Sequence, residues 1–333
     1  MIKIGINGFG RIGRHCLRAS LDRKDVQVIA TNDVNTNERR MHLLKHDSVH
    51  GKIAHELSKT DNGFSVGGHQ VHTLIEKDPA KLPWKALGVD IVLECTGRFR
   101  ERSQAAAHMS AGAKKVIISA PGKGEPPDAT IVMGVNEHMY DAKKHTVLSN
   151  ASCTTNCLSP VLKVIHDAFG IEHAMMTTVH SYTSDQMLMD NDHADLRRAR
   201  GAALSMIPTS TGASEAVAQV LPALKGKVDG TSIRVPTPDV SVVDLTCEVS
   251  RDTTVEEVNQ AFRNAAAGSL KGILAVEDEE LVSTDFIGNP HSATVDLPLT
   301  QMLGKRWIKV WAWYDNEWGF SQRMLDLAVL IGK

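Results

Sequence analysis

The sequence predicts an α/β chain of two domains, and three observations carry that expectation. Strand-like and helical segments alternate through the first 150 residues. Beyond residue 150 long strand-like runs dominate, with few helices between them. The chain has 333 residues, about twice a typical domain. The alternating half implies βαβ units on a mostly parallel sheet. The second half implies an α+β domain, with a large mixed or antiparallel sheet packed by helices on one face.

In the first half the expected strands are Ile2–Asn7, Val26–Thr31, Val89–Cys95, Lys115–Ser119, Thr130–Val135 and Thr146–Ser149, each rich in β-branched residues. Arg11–Leu21 and Ser103–Ala111 have helical spacing. In the second half a helix is expected over Cys153–Phe169. Strands follow over Ala174–Tyr182, Ser232–Val235, Val240–Val249, Ser292–Asp296 and Trp307–Tyr314. Further helices are expected over Ser214–Val220, Thr254–Ala267 and Glu317–Leu330. The expected domains are 1–150 and 151–316, with the C-terminal segment 317–333 packing back on the first.

Composition narrows the function. At 42% hydrophobic and 23% charged, the chain is ordinary globular protein. A formal net charge of -2 makes no electrostatic case for nucleic acid or an anionic membrane. No apolar run approaches the ~18 residues of a membrane span. The N-terminus is expected to enter a strand directly rather than form a secretory leader. Five cysteines, an odd and scattered number, argue against a disulfide framework and for a reducing cytoplasm. Cys153 and Cys157 have no matching His/Cys cluster nearby, so no metal site is expected.

Gly8-Phe9-Gly10-Arg11-Ile12-Gly13 is a G-x-G-x-x-G placed directly after a short strand and at the start of a helix. That context makes it a dinucleotide fingerprint: the glycines permit a tight turn and close approach of a pyrophosphate to the helix N-terminus. Asp33 ends the next strand, 20 residues beyond Gly13. A carboxylate there accepts from the ribose hydroxyls of NAD and repels the 2′-phosphate of NADP.

Cys153 lies in Ser149-Asn-Ala-Ser-Cys-Thr-Thr-Asn-Cys157, where a strand ends and a helix begins. Helix N–H groups and the dipole are expected to lower its thiol pKa and make it a covalent nucleophile. His180 ends the strand Ala174–Tyr182 save two residues and is the candidate base, histidine having a suitable pKa. The other 14 histidines are expected mostly in polar surface stretches. A separation of 27 residues does not by itself pair His180 with Cys153. Arg197, Arg198, Arg200 and Arg234 are candidates for anion recognition, since guanidinium meets phosphate in a fixed fork. Thr209-Ser-Thr-Gly-Ala213 precedes a helix and offers hydroxyls and backbone amides as a second phosphate cradle.

These motifs together resemble one enzyme family. Asn7-Gly-Phe-Gly-Arg-Ile-Gly-Arg14, Ser149-Asn-Ala-Ser-Cys-Thr-Thr-Asn156, Thr178-Val-His180, Arg234-Val-Pro-Thr-Pro238, Ser241-Val-Val-Asp244 and Trp313-Tyr-Asp-Asn-Glu-Trp-Gly319 resemble glyceraldehyde-3-phosphate dehydrogenase from end to end. The resemblance implies a Rossmann-type NAD domain and a catalytic domain. It implies phosphorylating oxidation of glyceraldehyde 3-phosphate, a glycolytic reaction, through a Cys153 thiohemiacetal and thioester, with His180 as base. NAD is then held by Gly8, Gly10, Arg11, Ile12, Gly13, Asp33, Lys77, Ser119 and Asn316. The substrate phosphate meets Thr183, Arg198 and Arg234. Inorganic phosphate meets Ser152, Thr211 and Gly212, with Thr154 beside the nucleophile. The segment Thr183–Arg200 resembles the loop that lines a neighbouring subunit's cofactor site, which implies a homotetramer.

Two departures stand out. Asn191-Asp192 occupies a place where many NAD-specific members carry Leu-Pro, yet Asp33 and Asp192 would both repel a 2′-phosphate, which favours NAD. Asn289-Pro-His-Ser-Ala293 and Glu317-Trp-Gly-Phe320 resemble erythrose-4-phosphate dehydrogenase. Thr183 and Thr211-Gly212 match the phosphate-dependent enzyme, and those positions face the substrate.

Overall fold

The computed structural model describes residues 1–333, which fall into two compact units. The first comprises Met1–Met133, Glu137–Ser152 and Phe320–Lys333; the second comprises Gly134–Asn136 and Cys153–Gly319.

The first unit opens with β1 (Ile2–Asn7), α1 (Arg11–Ser20), β2 (Val26–Asn32) and α2 (Asn37–Lys45). A small hairpin, β3 (His46–Asp47) and β4 (Gly51–Lys52), precedes β5 (Leu57–Thr60), β6 (Gly63–Val66) and β7 (His69–Leu74). Then come α3 (Trp84–Leu87), β8 (Ile91–Glu94), α4 (Arg102–Ala105), α5 (Ala107–Ser110), β9 (Lys115–Ile118), β10 (Ala129–Thr130) and β11 (Val147–Ser149). Nine strands form one sheet in the order β10-β11-β9-β8-β1-β2-β7-β6-β5. The seven from β10 to β7 run parallel, as the alternating pattern predicts. β5 and β6 add an antiparallel edge. β1 and β8 bury Ile4, Ile6, Ile91 and Leu93 almost completely, as a two-sided parallel sheet requires.

Two expectations are corrected in this unit. The strand over Thr130–Val135 shrinks to β10: only Ala129 and Thr130 pair with β11, and after Ile131 N–H donates to Ser149 C=O the chain leaves the ladder for a turn in which Gly134 has a φ of +82°. The helix over Ser103–Ala111 is two single turns, the ladder tightening where Met109 N–H donates to Ala106 C=O.

The second unit begins with α6 (Cys153–Phe169), followed by β12 (Ile171–Ser181), β13 (Ile207–Thr209), α7 (Ala213–Val220), β14 (Val228–Val235) and β15 (Ser241–Val249). α8 (Val255–Ala267), β16 (Leu274–Glu277), β17 (Ala293–Leu303) and β18 (Trp307–Tyr314) complete it, and α9 (Trp318–Gly332) starts here and continues into the first unit. The seven strands form a mixed sheet in the order β13-β14-β12-β15-β18-β17-β16. α6 and α8 share one apolar core with the sheet, built from Leu158, Val161, Ile165, Val258, Phe262, Val243, Leu245 and Val310 among others. α8 is held at its start by a capping box between Thr254 and Glu257.

Candidate active site

In the first unit the fingerprint glycines each do a different job. Gly8 has φ +93°, and a Cβ there would come within 2.6 Å of the Cys95–Thr96 backbone. A Cβ at Gly13 would come within 2.2 Å of Gly8 C=O, so glycine lets α1 pack onto β1. A Cβ at Gly10 would meet nothing within 4 Å. Gly10 is the N-cap of α1 and no side chain caps that helix. Open space over an uncapped helix start fits a pyrophosphate.

Asp33, just past β2, turns its carboxylate into this turn. Oδ2 accepts from Phe9 N–H at 2.8 Å, and Oδ1 accepts from Asn35 N–H at 3.0 Å and Asn35 Nδ2 at 2.9 Å. The Arg11 guanidinium is clamped by Asp47, at 2.9 and 3.3 Å. Burial opposes ionisation of Asp47, but the His50 and Val49 N–H groups and Arg11 outweigh it and hold its pKa below the usual range. The Arg11 guanidinium is thus already engaged, and the first turn of α1 holds Arg11 and Ile12 at the end of the glycine turn. Ser119 follows β9 and donates its N–H to Glu94 C=O. Lys77 is exposed beyond β7.

In the second unit Cys153 is the first residue of α6 and half-buried. His180 is buried near the end of β12. Its Nε2 lies 3.5 Å from Cys153 Sγ. Its Nδ1 lies 2.7 Å from Ser181 C=O, and a carbonyl oxygen only accepts. Nδ1 therefore carries the proton, and the Nε2 lone pair faces the thiol. Parallel pairing of β12 with β14 sets His180 beside Arg234. Arg234 Nη1 also donates to Ser181 C=O, at 3.1 Å, and lies 3.1 Å from Nδ1. The carbonyl's two lone pairs thus serve both groups.

Electrostatics correct one expectation. Burial pushes the Cys153 thiol above its ordinary pKa, although Arg234 and the Thr154 and Cys153 N–H groups pull it back. The helix start helps the thiolate, but desolvation wins in this environment. Burial, with Arg234 second, lowers His180 to about 3, so the imidazole is neutral and basic in form near pH 7.

Tyr314, at the end of β18, is not singled out by the sequence patterns. Its buried hydroxyl sits 2.9 Å from both Thr154 Oγ1 and Thr178 Oγ1, and its ring meets His180 edge-on at 5.9 Å. Thr154 thus links Tyr314 to the nucleophile: its hydroxyl meets Tyr314, and both its backbone N–H and its side chain favour the Cys153 thiolate. Asn316 Oδ1 accepts from Ser181 Oγ at 2.9 Å and Ser241 Oγ at 2.8 Å, which leaves its amide N–H2 for another partner.

The arginines separate into two environments. Arg234 has no carboxylate within ion-pair distance, and its Nε is buried without a partner. Arg198 is already engaged: Nη1 meets Asp185 at 2.6 Å, Nε donates to Thr209 Oγ1 at 3.0 Å, and Nη2 donates to Ser210 C=O at 3.3 Å. That brings Arg198 to the segment leading into Thr211 and Gly212. Thr211 Oγ1 accepts from Ala213 N–H at 3.2 Å, and Gly212 is the uncapped N-cap of α7. Thr183 is half-buried two residues past β12. Ser152 immediately precedes Cys153 and is half-buried. Arg197 joins this group only through its backbone N–H, which donates to Asp195 at 2.9 Å, and Arg200 pairs with Asp190 at the surface. Not every other histidine is at the surface: His15 and His108 are fully buried.

Comparison with known proteins agrees with this geometry. The family described as "Glyceraldehyde 3-phosphate dehydrogenase, NAD binding domain" matches residues 2–102, and "Glyceraldehyde 3-phosphate dehydrogenase, C-terminal domain" matches residues 152–316. A glyceraldehyde-3-phosphate dehydrogenase from Geobacillus stearothermophilus is 56% identical over 330 residues, covering 99% of this chain and 98% of the relative. Glyceraldehyde-3-phosphate dehydrogenase 1 of Bacillus subtilis (strain 168) is 55% identical over 332 residues, covering 100% of this chain and 98% of its own. Glyceraldehyde-3-phosphate dehydrogenase 2 of Nostoc sp. is 51% identical, covering 100% and 99%.

Proposed function

Because the chain belongs to the glyceraldehyde-3-phosphate dehydrogenase family, we propose that it oxidises D-glyceraldehyde 3-phosphate with NAD and inorganic phosphate to 1,3-bisphosphoglycerate. The observation that carries this is the Cys153–His180 pair: Sγ faces an unprotonated Nε2 at 3.5 Å, with Nδ1 pinned by Ser181 C=O.

His180 Nε2 takes the thiol proton as Sγ attacks the aldehyde carbon, giving a thiohemiacetal. The Nε2 proton passes to the former carbonyl oxygen, which completes the hydroxyl and returns His180 to its neutral form, and His180 then draws that hydroxyl proton back as the carbon loses hydride. When bound, NAD supplies the hydride acceptor. The acyl group remains on Cys153 as a thioester, which keeps the oxidation energy in transferable form. A phosphate oxygen attacks the acyl carbon, the C–S bond breaks, and Cys153 leaves as thiolate and regains its proton from His180 Nε2.

Several features support individual roles. The Gly10 cradle and Asp33 support NAD over NADP, with Gly8, Arg11, Ile12, Gly13, Lys77, Ser119 and Asn316 as further cofactor residues. Arg234, which has no carboxylate partner, supports recognition of an anion by that side chain with Thr183 and Arg198. Ser152, Thr211 and Gly212 are assigned to the attacking phosphate, with Thr154 beside the nucleophile, supported by the place of Gly212 as an N-cap of α7 with no side chain. A homotetramer is supported by apolar side chains exposed in and beside Thr183–Arg200: Leu188, Met189, Leu196, Leu204 and Met206. Five free cysteines support a cytoplasmic setting, and no helix is long and apolar enough to cross a membrane.

The test is NADH formation from glyceraldehyde 3-phosphate and from erythrose 4-phosphate, each with and without phosphate, repeated with NADP. Phosphate-dependent triose oxidation with NAD is expected. Equal triose rates without phosphate would sink the phosphorylating assignment. Light scattering tests the oligomer, and a monomer would refute it.

A further inference from the structure

Three neighbouring parallel strands end on polar side chains that are almost wholly buried: Glu94 on β8, Asn7 on β1 and Asn32 on β2. The registers set Asn7 beside both of the others. Asn7 Nδ2 donates to Glu94 Oε2 at 2.6 Å. Asn32 Nδ2 donates to Asn7 Oδ1 at 2.7 Å and to Glu76 C=O at 2.8 Å, and Asn32 Oδ1 accepts from Glu76 N–H at 2.9 Å. The side chains thus form a rung at the carboxyl ends of the strands, alongside the last backbone bonds, Cys95 N–H to Asn7 C=O and Gly8 N–H to Asn32 C=O. It runs from β8 through β1 and β2 to the segment leaving β7.

Glu94 anchors this rung. Oε1 accepts from Thr96 N–H at 2.8 Å and from the Thr96 hydroxyl, which itself accepts from Arg98 N–H. Oε2 also accepts from His108 Nε2 at 3.1 Å. The direction of that bond is fixed, because Trp84 Nε1–H donates to His108 Nδ1 at 3.0 Å and so puts the imidazole proton on Nε2. All four partners of Glu94 are donors. A buried carboxylate placed this way is costly to tolerate unless its contacts are useful.

The use follows from what the rung joins. Its members flank the Gly8–Gly10 turn, Asp33, the Glu76–Lys77 segment and Thr96–Gly97, the loops at the carboxyl ends of the central strands. In open parallel sheets that edge is where a dinucleotide lies. We propose that Glu94 is a positioning residue for NAD: with Asn7 and Asn32 it fixes the mutual spacing of the loops that cradle the dinucleotide. The proposal rests on the assignment of NAD to this unit.

Calorimetric titration of the purified full chain with NAD, aldehyde absent, tests it. E94Q keeps the shape but turns an N–H2 group toward either Thr96 or the Asn7–His108 pair, both donors. NAD affinity is expected to fall about tenfold. The loss should fall on the KM for NAD, with turnover at saturating NAD much less affected. Asn32 shares no hydrogen bond with Glu94, so E94Q and N32A should be strongly non-additive in NAD affinity if one rung links them. Should E94Q not fold, T96V carries the same test, with an expected loss of about threefold. Unchanged NAD affinity, or additive effects, would overturn the rung. Failure of the wild-type protein to bind NAD would overturn the NAD assignment itself, a result recognisable before any variant is made.

Discussion

Replacing Arg234 by Gln removes a guanidinium from beside the catalytic pair while keeping a donor near Ser181 C=O. Nη1 lies 3.1 Å from His180 Nδ1, and Nε2 lies 3.5 Å from Sγ, so charge and sulfur are less than about 9 Å apart. Unit charges about 8 Å apart at an effective dielectric of about 20 interact by about 2 kcal/mol. Losing that attraction raises the thiol pKa further and cuts the thiolate population near pH 7 by about 30-fold. A more basic thiolate is also more nucleophilic, with a Brønsted slope of about 0.4–0.5, which recovers roughly half of the logarithmic loss. The net expectation is alkylation of Cys153 by iodoacetamide about fivefold slower at pH 7. His180 does not reverse the sign: lowered to about 3, it stays neutral at pH 7 even when part of that depression is relieved. The assay is the pseudo-first-order rate of Cys153 alkylation by mass spectrometry, without substrate, from pH 6 to 10. An unchanged or faster rate in R234Q would show that Arg234 does not hold the thiolate.

Four further outcomes are expected. Alkylation of the native protein should stop at one adduct on Cys153: Cys16, Cys157 and Cys247 are buried, burial pushes Cys247 up to about 12, and the Cys16 thiol holds Cys95 well up; stoichiometric labelling elsewhere would contradict this. C153S should abolish turnover while calorimetry shows NAD binding within about twofold of wild type; residual turnover would displace Cys153 as nucleophile. G10V should fold normally, since a Cβ there meets nothing within 4 Å, yet lose NAD affinity by about tenfold or more, so normal binding would empty the cradle of meaning. Asp128 is lowered to about 2: burial opposes this, but Val147 and Thr146 N–H and Arg102 outweigh it. A depressed carboxylate stabilises above its unfolded pKa and loses that contribution as pH falls through its folded pKa. D128N should therefore cost about 2 kcal/mol in urea unfolding at pH 7 and progressively less from about pH 4 to 2, whereas a pH-independent cost would refute the linkage.

The sequence reveals what depends on local pattern. α6 spans Cys153–Phe169 and β18 spans Trp307–Tyr314, as apolar periodicity alone predicts, and the fingerprint stands at its strand–helix junction. The antiparallel edge over Leu57–Leu74 escapes that pattern, since β5 is mostly exposed and polar and has no clear alternation. α2 escapes it too, although Thr36 as N-cap is a usable signal. What depends on distant contact is not legible. Nothing in a spacing of residues places Arg234 against His180; the β12–β14 register does. Tyr314 joins the site through two hydroxyl contacts that pattern does not encode. The direction of the thiol's shift is misread from sequence because a helix start is visible there and desolvation is not.

Tyr314 closes the hydroxyl bridge to Thr154 across 160 residues of chain, and His180 meets Arg234 across 54. Contacts so far apart in sequence form slowly, because chain ordering precedes their reward. A growing chain therefore exposes Cys153 well before the strand carrying Tyr314 has been synthesised. Until that strand docks, the thiol lacks its finished environment, and catalytic competence marks the end of folding.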